Sequence, residues 1–147
     1  MKVNIAVLLF MIIISSSCGN SNFPKDLGGG YNIDYDGNGD WCILNKQNSV
    51  VIPPHITKYN YNGSFIIAED KPRWIILGDA GPHIKYNEEE EKFEKSSLRY
   101  YWIIDKTEKD VFDEETKSHS SIYGPLNKTE YQRKLAQLKV PNNLRLN

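Results

Sequence analysis

Short runs of apolar and aromatic residues, each closed by turn-forming residues, recur along the chain after position 30. Aromatic and β-branched residues in runs of this length favour strands. We predict strands at 31–35, 41–45, 50–52, 73–76, 83–86 and 101–104. Segment 56–69 indicates a hairpin, because Asn62 and Gly63 interrupt its alternating pattern and favour the positive φ angles of a type I′ turn.

Segment 126–141, LNKTEYQRKLAQLKVP, predicts a helix. Asn127 is a suitable N-cap and Glu130 stands three residues later, so the two form a capping box. One face carries apolar residues at helical spacing, and these are Tyr131, Leu135 and Leu138. Such a face has to be buried against a sheet. We therefore predict an α+β fold, with an antiparallel sheet of five to seven strands and one C-terminal helix packed on one face.

Residues 1–17 have the order typical of a signal peptide, in which Lys2 precedes an unbroken apolar run at 5–14 and then three serines. The run is shorter than the about 20 residues that cross a bilayer. Cys18 follows the serines directly, and this arrangement resembles the lipobox of bacterial lipoproteins, although Ser15 stands where that family prefers leucine. The resemblance implies cleavage before Cys18 and acylation of its thiol. An ordinary signal peptide cut nearby and an uncleaved anchor are the alternatives.

Three segments follow from this interpretation: 1–17 as lipoprotein signal peptide, 18–30 as a flexible tether, and 31–147 as a single α+β domain. We expect the acyl chains on Cys18 to hold the protein on a membrane of the bacterial cell envelope, at the periplasmic face or at the cell surface. Each buried methylene contributes about 0.8 kcal/mol, so two or three chains make the attachment permanent.

The formal net charge of −1 argues against a nucleic-acid partner, which requires a basic surface. If Cys18 is acylated, Cys42 has no second cysteine with which to form a disulfide. The apolar neighbours Trp41 and Ile43 indicate that Cys42 is a buried thiol and not a nucleophile.

The segment DYDGNGDW resembles a calcium loop, with Asp34, Asp36 and Asn38 at the first, third and fifth ligand positions. The twelfth position is Asn45, which cannot supply the bidentate carboxylate that calcium requires there. We therefore interpret the segment as a hairpin loop and expect no cofactor, with a calcium site as the minority interpretation.

No local motif for catalysis or metal binding is present in the sequence. His55, His83 and His119 each lack a second ligand at metal-binding spacing, and no serine stands in a G-x-S-x-G motif. The acidic run 88–91 and the polar segment 106–121 indicate solvent-exposed surface.

Aromatic residues are numerous, with three Trp and nine Tyr. Neighbours in a strand point to opposite faces, so we predict that Tyr101 and Trp102 cannot both be core-facing. An aromatic surface that recognises a partner protein or a sugar is one interpretation, and strand propensity alone is the other. The residues concerned are Tyr59, Tyr61, Trp74, Tyr100, Tyr101 and Trp102.

The blocks LGGGYNIDY, FIIA, YYWIIDK and YGPLNKTEY follow one another in an order that resembles small bacterial lipoproteins of a domain family of unknown function. In that family a Y-W-I-I-D strand is followed by G-P-L and a short C-terminal helix. The resemblance covers most of 31–147 and supplies no catalytic residues.

These observations favour a binding or inhibitory module, of the kind found in immunity proteins, over an enzyme. We expect it to be lipid-anchored in the envelope and to have a protein partner there. A small envelope hydrolase whose site is assembled from distant segments is one alternative, and a calcium-stabilised structural protein is the other.

Overall fold

The computed structural model describes residues 24–35, 40–73 and 86–147. Within them ten strands form three antiparallel sheets, accompanied by two helices. The strands are β1 (Lys25–Gly28), β2 (Tyr31–Tyr35), β3 (Trp41–Leu44), β4 (Val50–Ile52), β5 (Ile56–Tyr61), β6 (Phe65–Asp70), β7 (Tyr100–Asp105), β8 (Phe112–Asp113), β9 (Ser118–His119) and β10 (Ile122–Leu126). The helices are α1 (Tyr86–Lys95) and α2 (Lys128–Gln137). The predicted α+β class is confirmed.

Two four-stranded sheets make up most of the domain. The first sheet has the order β1-β2-β3-β4 and the second has the order β10-β7-β6-β5, while β8 and β9 form a separate hairpin. In the second sheet β6 and β7 are the central strands, and Ile66 lies opposite Ile104 while Ile67 lies opposite Ile103.

The second sheet is buried on both faces. Because side chains alternate along a strand, Ile66 and Ile104 point towards the first sheet, whereas Ile67 and Ile103 point towards α2. All four side chains are fully buried, and each such burial contributes about 1.5–3 kcal/mol. The core between the sheets also contains Leu27, Tyr31, Ile33, Ile43, Ile52, Ile56 and Ala68.

The prediction of one sheet with five to seven strands and one covered face is therefore wrong in detail. A strand that is buried on both faces has a continuous apolar sequence, as FIIA in β6 and WII in β7 do. Tyr101 stacks on Tyr131 of α2 with ring centroids 4.8 Å apart, and Trp102 packs against the core between the sheets. Both aromatic rings thus face a core, contrary to the prediction.

The helix at the C-terminal side has the predicted capping box. The Asn127 side chain accepts the backbone N–H of Glu130 at 3.0 Å, and the Glu130 carboxylate accepts the backbone N–H of Asn127 at 2.9 Å. Tyr131 is buried in the core between α2 and the second sheet, and Leu135 and Leu138 pack beside it. The predicted helix and its apolar face are confirmed.

The other end of α2 is closed by a Schellman motif that has lysine in place of the usual glycine. Lys139 has a φ of 55°, and its N–H donates to the carbonyl of Ala136 at 3.2 Å. The N–H of Val140 donates to the carbonyl of Leu135 at 3.0 Å. The chain then turns back, so that Leu144 is buried in the core beneath α2.

The segment 18–30 that we predicted to be a flexible tether contains β1. Leu27 is fully buried, and β1 pairs with β2 in the first sheet. The composition of segment 18–30 is polar and rich in glycine, so it gave no indication of β1, in which Leu27 is the only fully buried side chain. Residues 25–28 therefore belong to the folded domain, while 18–23 and the predicted signal peptide 1–17 lie outside the described residues.

The hairpin at 56–69 is confirmed as β5 and β6, but its turn is not of type I′. Neither Asn62 nor Gly63 has a φ in the left-handed region. Instead the Asn62 side chain accepts the backbone N–H groups of Ser64 and Phe65, each at 2.8 Å. A side chain therefore closes this turn.

Further predicted elements have mixed outcomes. Strands at 31–35, 41–45, 50–52 and 101–104 are confirmed as β2, β3, β4 and part of β7. The acidic run 88–91 lies within α1, and segment 106–121 contains β8 and β9. Arg73 is not in a strand, Tyr86 begins α1, and 74–85 lie outside the described residues. Neither described helix is long and apolar enough to span a membrane.

Gly124 lies at an irregularity in the pairing of β10 with β7, where its backbone is in close contact with the Trp102 ring. Its φ is 153°, and a Cβ added there would lie 2.6 Å from Cδ2 of Trp102. Since real carbon atoms do not approach so closely, this position accepts only glycine without displacement of the ring.

We predict that Gly124→Ala lowers the free energy of unfolding by about 3 kcal/mol, because overpacking and an unfavourable φ both oppose it. Gly63→Ala is the matched control, since no atom lies within 4 Å of its added Cβ, and we expect a change within about 1 kcal/mol. Urea denaturation followed by circular dichroism measures both. Equal losses in the two variants would contradict the proposed contact.

Candidate functional site

One end of the space between the two sheets holds a group of charged and polar side chains, which we call the His55 cluster. Its members come from distant parts of the chain: the end of β6, the residue before β5, the segment before β3, and β7. The cluster consists of Asp40, His55, Asp70, Lys71 and Trp102.

Asp70 is a buried carboxyl group in this cluster, with 1% of its surface exposed. Its Oδ1 accepts the indole N–H of Trp102 at 2.8 Å. Burial raises the pKa of Asp70 to about 6, and this effect exceeds the opposing influence of the Trp102 hydrogen bond and of nearby His55. A carboxyl group that titrates near neutral pH is suited to proton transfer, although structural networks shift pKa values as well.

His55 is held in place by both its ring and its backbone. Nδ1 lies 3.0 Å from Oδ1 of Asp40, and the ring centroid is 5.1 Å from that of Phe93. The backbone has a φ of 76°, and its carbonyl accepts the N–H of Lys71 at 3.0 Å. A carboxylate that orients an imidazole in this way is the usual support for a general base.

α1 is attached to this end of the domain through Phe93, whose ring is in contact with two cations. The Nζ of Lys71 is 4.5 Å from the Phe93 ring centroid and donates to the carbonyl of Glu94 at 3.0 Å. The guanidinium of Arg73 is 4.9 Å from the same centroid and pairs with Glu90 at 2.9 Å. These contacts explain why Lys71 is buried, because its charge faces an aromatic ring and a carbonyl.

The His55 cluster contains carboxyl groups and an imidazole, but its described contacts include neither a hydroxyl nor a thiol. In the described part of the chain every buried side-chain nitrogen or oxygen has a hydrogen-bond partner. The buried polar groups therefore satisfy one another, as in a structural network.

A second cluster, at the base of the hairpin of β8 and β9, contains the residue types of a hydrolase triad in another arrangement. Nδ1 of His119 lies 2.6 Å from Oδ2 of Asp110, and the hydroxyl of Ser121 donates to Oδ1 of Asp110 at 2.9 Å. Although burial acts in the opposite direction, hydrogen bonds from His119 and Ser121 hold the pKa of Asp110 below its ordinary value. Ser121 is fully buried and bonds the carboxylate, not the imidazole, so the serine is not activated as a nucleophile.

A groove of about 590 Å³ lies between α2 and the segment that follows it. Apolar and polar side chains line it, among them Leu135, Val140, Leu144, Gln132, Lys139 and Arg145. None of its described lining residues is acidic. Lys139 and Arg145 are exposed and form no ion pair with a described residue.

The predicted calcium ligands are only partly within the described residues. Asp34 lies in β2, and its side chain accepts the backbone N–H of Tyr35 at 2.8 Å. Tyr35 pairs with Trp41 across β2 and β3, so the predicted hairpin is confirmed. Asp36 and Asn38 lie outside the described residues, among which no three His, Cys, Asp or Glu side chains are grouped to hold a metal. The calcium site stays a prediction.

The aromatic residues of the predicted surface that the structure describes do not all lie on one face. Tyr59 and Tyr61 are half-buried against the core between the sheets, with Nζ of Lys25 at 5.5 and 5.2 Å from their ring centroids. Tyr101 and Trp102 face the two cores. Trp74 and His83 lie outside the described residues, and so does the predicted lipid attachment site, Cys18.

Cys42 is buried as predicted, with 1% of its surface exposed, and its Sγ donates to the carbonyl of Asp34 at 3.5 Å. Sequence reasoning missed Asp70 and Lys71, because neither has a chemical partner nearby in sequence. A usable signal was present in β6, a strand that begins with four buried residues and ends in an Asp.

The raised pKa of Asp70 makes a testable prediction about stability. The folded protein binds this proton more tightly than the unfolded chain, whose carboxyl has the ordinary pKa of 3.8, so stability should increase as pH falls from above 6 towards 4. Asp70→Asn keeps an acceptor for Trp102 and removes the ionisation. We expect the variant to be more stable than the parent at pH 8, by up to about 3 kcal/mol, and equal to it near pH 4.

Urea denaturation between pH 4 and pH 8 measures this difference. Trp102→Phe provides a second check, because loss of the indole donor should move the midpoint of the pH dependence above that of the parent chain. If the free energy of unfolding changed with pH in the same way for the parent and for Asp70→Asn, the raised pKa assigned to Asp70 would be contradicted.

Residues 28–147 match the family model described as Protein of unknown function (DUF3997). No curated protein matches the chain, and no solved structure does. The family match confirms the expectation of an uncharacterised domain family, and it includes both central strands, α1, α2 and the two clusters. Because it spans most of the sequence, the chain belongs to this DUF3997 family of proteins of unknown function.

Proposed function

We propose that the protein is a lipoprotein of the bacterial cell envelope, anchored by acyl chains on Cys18, and that its domain is a binding module. The observation that carries the binding role is the open groove between α2 and the segment after it. Its apolar floor lies beside Lys139 and Arg145, two cations that form no ion pair with described residues. A concave apolar surface with a few charged groups is typical of a ligand site.

The internal polar groups support the same proposal. Asp110 and Ser121 bond each other, and Asp70 bonds Trp102, so these residues stabilise the fold. The groove differs because it combines two exposed cations with apolar side chains that are only partly buried, Leu135 and Val140. An inhibitory or immunity-like role agrees with this, since such a protein acts by occupying the surface of its partner.

The proposed anchor would hold the domain near the membrane. Cys18 and the first residue of β1, Lys25, are seven positions apart. An extended chain of that length reaches about 25 Å. The partner we propose is therefore another envelope protein close to the same bilayer surface.

A small envelope hydrolase is the second candidate, and the His55 cluster favours it. Nδ1 of His55 is 3.0 Å from Asp40, and Asp70 is a buried acid with a raised pKa. If this role is correct, His55→Gln should abolish hydrolysis without unfolding the protein. Substitutions in the groove should leave hydrolysis unchanged.

Metabolic labelling with radioactive palmitate in the native host tests the anchor. We expect the parent chain to incorporate label and to sediment with membranes, because two acyl chains bind a bilayer stably. Cys18→Ala should lose both properties. Cys42→Ala, which removes the other cysteine, should retain both. Label on the Cys18→Ala variant, or an unlabelled parent chain, would refute the proposed lipoprotein.

A further inference from the structure

The shape of the groove between α2 and the following segment is fixed by the backbone conformation and by hydrogen bonds within the chain. The left-handed backbone of Lys139 reverses the chain, so that Val140 returns to Leu135 through the Schellman hydrogen bond. Leu144 is buried beneath α2, and the carbonyl of Arg145 accepts the side-chain N–H of Asn60 in β5 at 2.9 Å. Both walls are thus fixed, which lowers the entropy cost of binding.

The charges at the groove favour an anionic ligand. Its described lining contains Lys139 and Arg145 and no acidic residue. The Nε of Arg145 donates to the carbonyl of Asn142 at 2.6 Å, while the described residues place no acceptor against its terminal Nη atoms. Those two atoms have the geometry to bind a carboxylate through two parallel hydrogen bonds.

The helix dipole does not contribute to this preference. The groove lies at the carboxyl end of α2, where the dipole is negative and repels an anion. Any affinity for a carboxylate must therefore come from Lys139 and Arg145. Removing either cation should consequently have a large effect.

The openness of the groove indicates the class of ligand. A volume of about 590 Å³ is within the range of ligand sites, yet the groove is only partly enclosed. A free fatty acid would leave much of its chain in water there. A short segment of a larger protein would not, since the body of that protein covers its outer side.

We propose that this groove binds a short protein segment in which an apolar side chain stands beside a carboxylate. This rests on the proposed binding role and specifies the chemistry of the partner. The apolar side chain contacts Leu135, Val140 and Leu144, and the carboxylate pairs with Arg145 and Lys139. The groove lies on the α2 side of the second sheet, on the opposite side from the first sheet.

Fluorescence anisotropy with a peptide library tests the proposal, using the full acylated chain in lipid nanodiscs. The probes are labelled hexapeptides that place one Leu or Phe and one Asp or Glu at every pair of positions in a Gly-Ser background. A second library has Asn or Gln in place of the acid. We expect the best acidic peptides to bind at least tenfold more tightly than their amide counterparts.

Lys139→Gln and Arg145→Gln should each weaken binding of the best acidic peptide about tenfold, because each removes one of the two cations that pair with the carboxylate. Lys128→Gln is the matched control, since Lys128 is exposed at the other end of α2, and it should leave binding unchanged. Thermal melts establish that each variant folds. Hydrogen exchange should show protection at 132–145 when the peptide is bound.

Other outcomes separate this inference from the proposed function. Amide peptides that bind as tightly as acidic ones, with protection at 132–145, would overturn the carboxylate preference and leave the binding module intact. If dodecanoate bound more tightly than any peptide, the ligand of the groove would be a lipid and not a protein segment. If neither library binds, both the groove and its ligand are refuted, while palmitate labelling of Cys18 still decides the anchor.

Discussion

The second sheet must be covered on both faces, and the rest of the structure depends on this constraint. β6 and β7 place fully buried isoleucines on each side, so a single covering layer would leave about half of them in water. The first sheet covers one face. α2 and the segment after it cover the other, with Tyr131 and Leu144 as their buried side chains. The family region therefore folds as three layers with β6 and β7 at the centre.

This arrangement determines where functional groups can lie. The faces of the second sheet are occupied, so the candidate sites are at an end of the space between the sheets and on the outside of the helical layer. The end of the space between the sheets contains the His55 cluster and is closed by Phe93 of α1. The outer groove exists because the chain after α2 has to return to bury Leu144. A packing requirement thus produces the surface to which we assign binding.

Elements with local causes were predictable from the sequence. The capping box of Asn127 and Glu130 and the hairpin around Asn62 depend on residues at most a few positions apart, and both were predicted. The two-sided burial was not, because a run such as FIIA gives no indication of how many layers will cover it. β1 was missed for a similar reason, since its composition is that of a linker and its burial depends on the sheet opposite.

The candidate sites were less predictable than the fold. Asp70, His55 and Asp40 meet only through the pairing of strands that are far apart in sequence. The groove arises from the left-handed conformation of Lys139, a residue type that rarely adopts it, so no pattern indicated the reversal. The interpretation of DYDGNGDW as a hairpin succeeded because Tyr35 and Trp41 are strand residues on either side of the loop.

Native-state hydrogen exchange of the full chain tests the three-layer account most directly. If both faces of the second sheet are covered, the amides of β6 and β7 should exchange slowest, at rates that report global unfolding. The amides of β8 and β9, which lie in a two-stranded sheet with mostly exposed residues, should exchange much faster. Exchange in β6 and β7 as fast as in β8 and β9 would contradict the account.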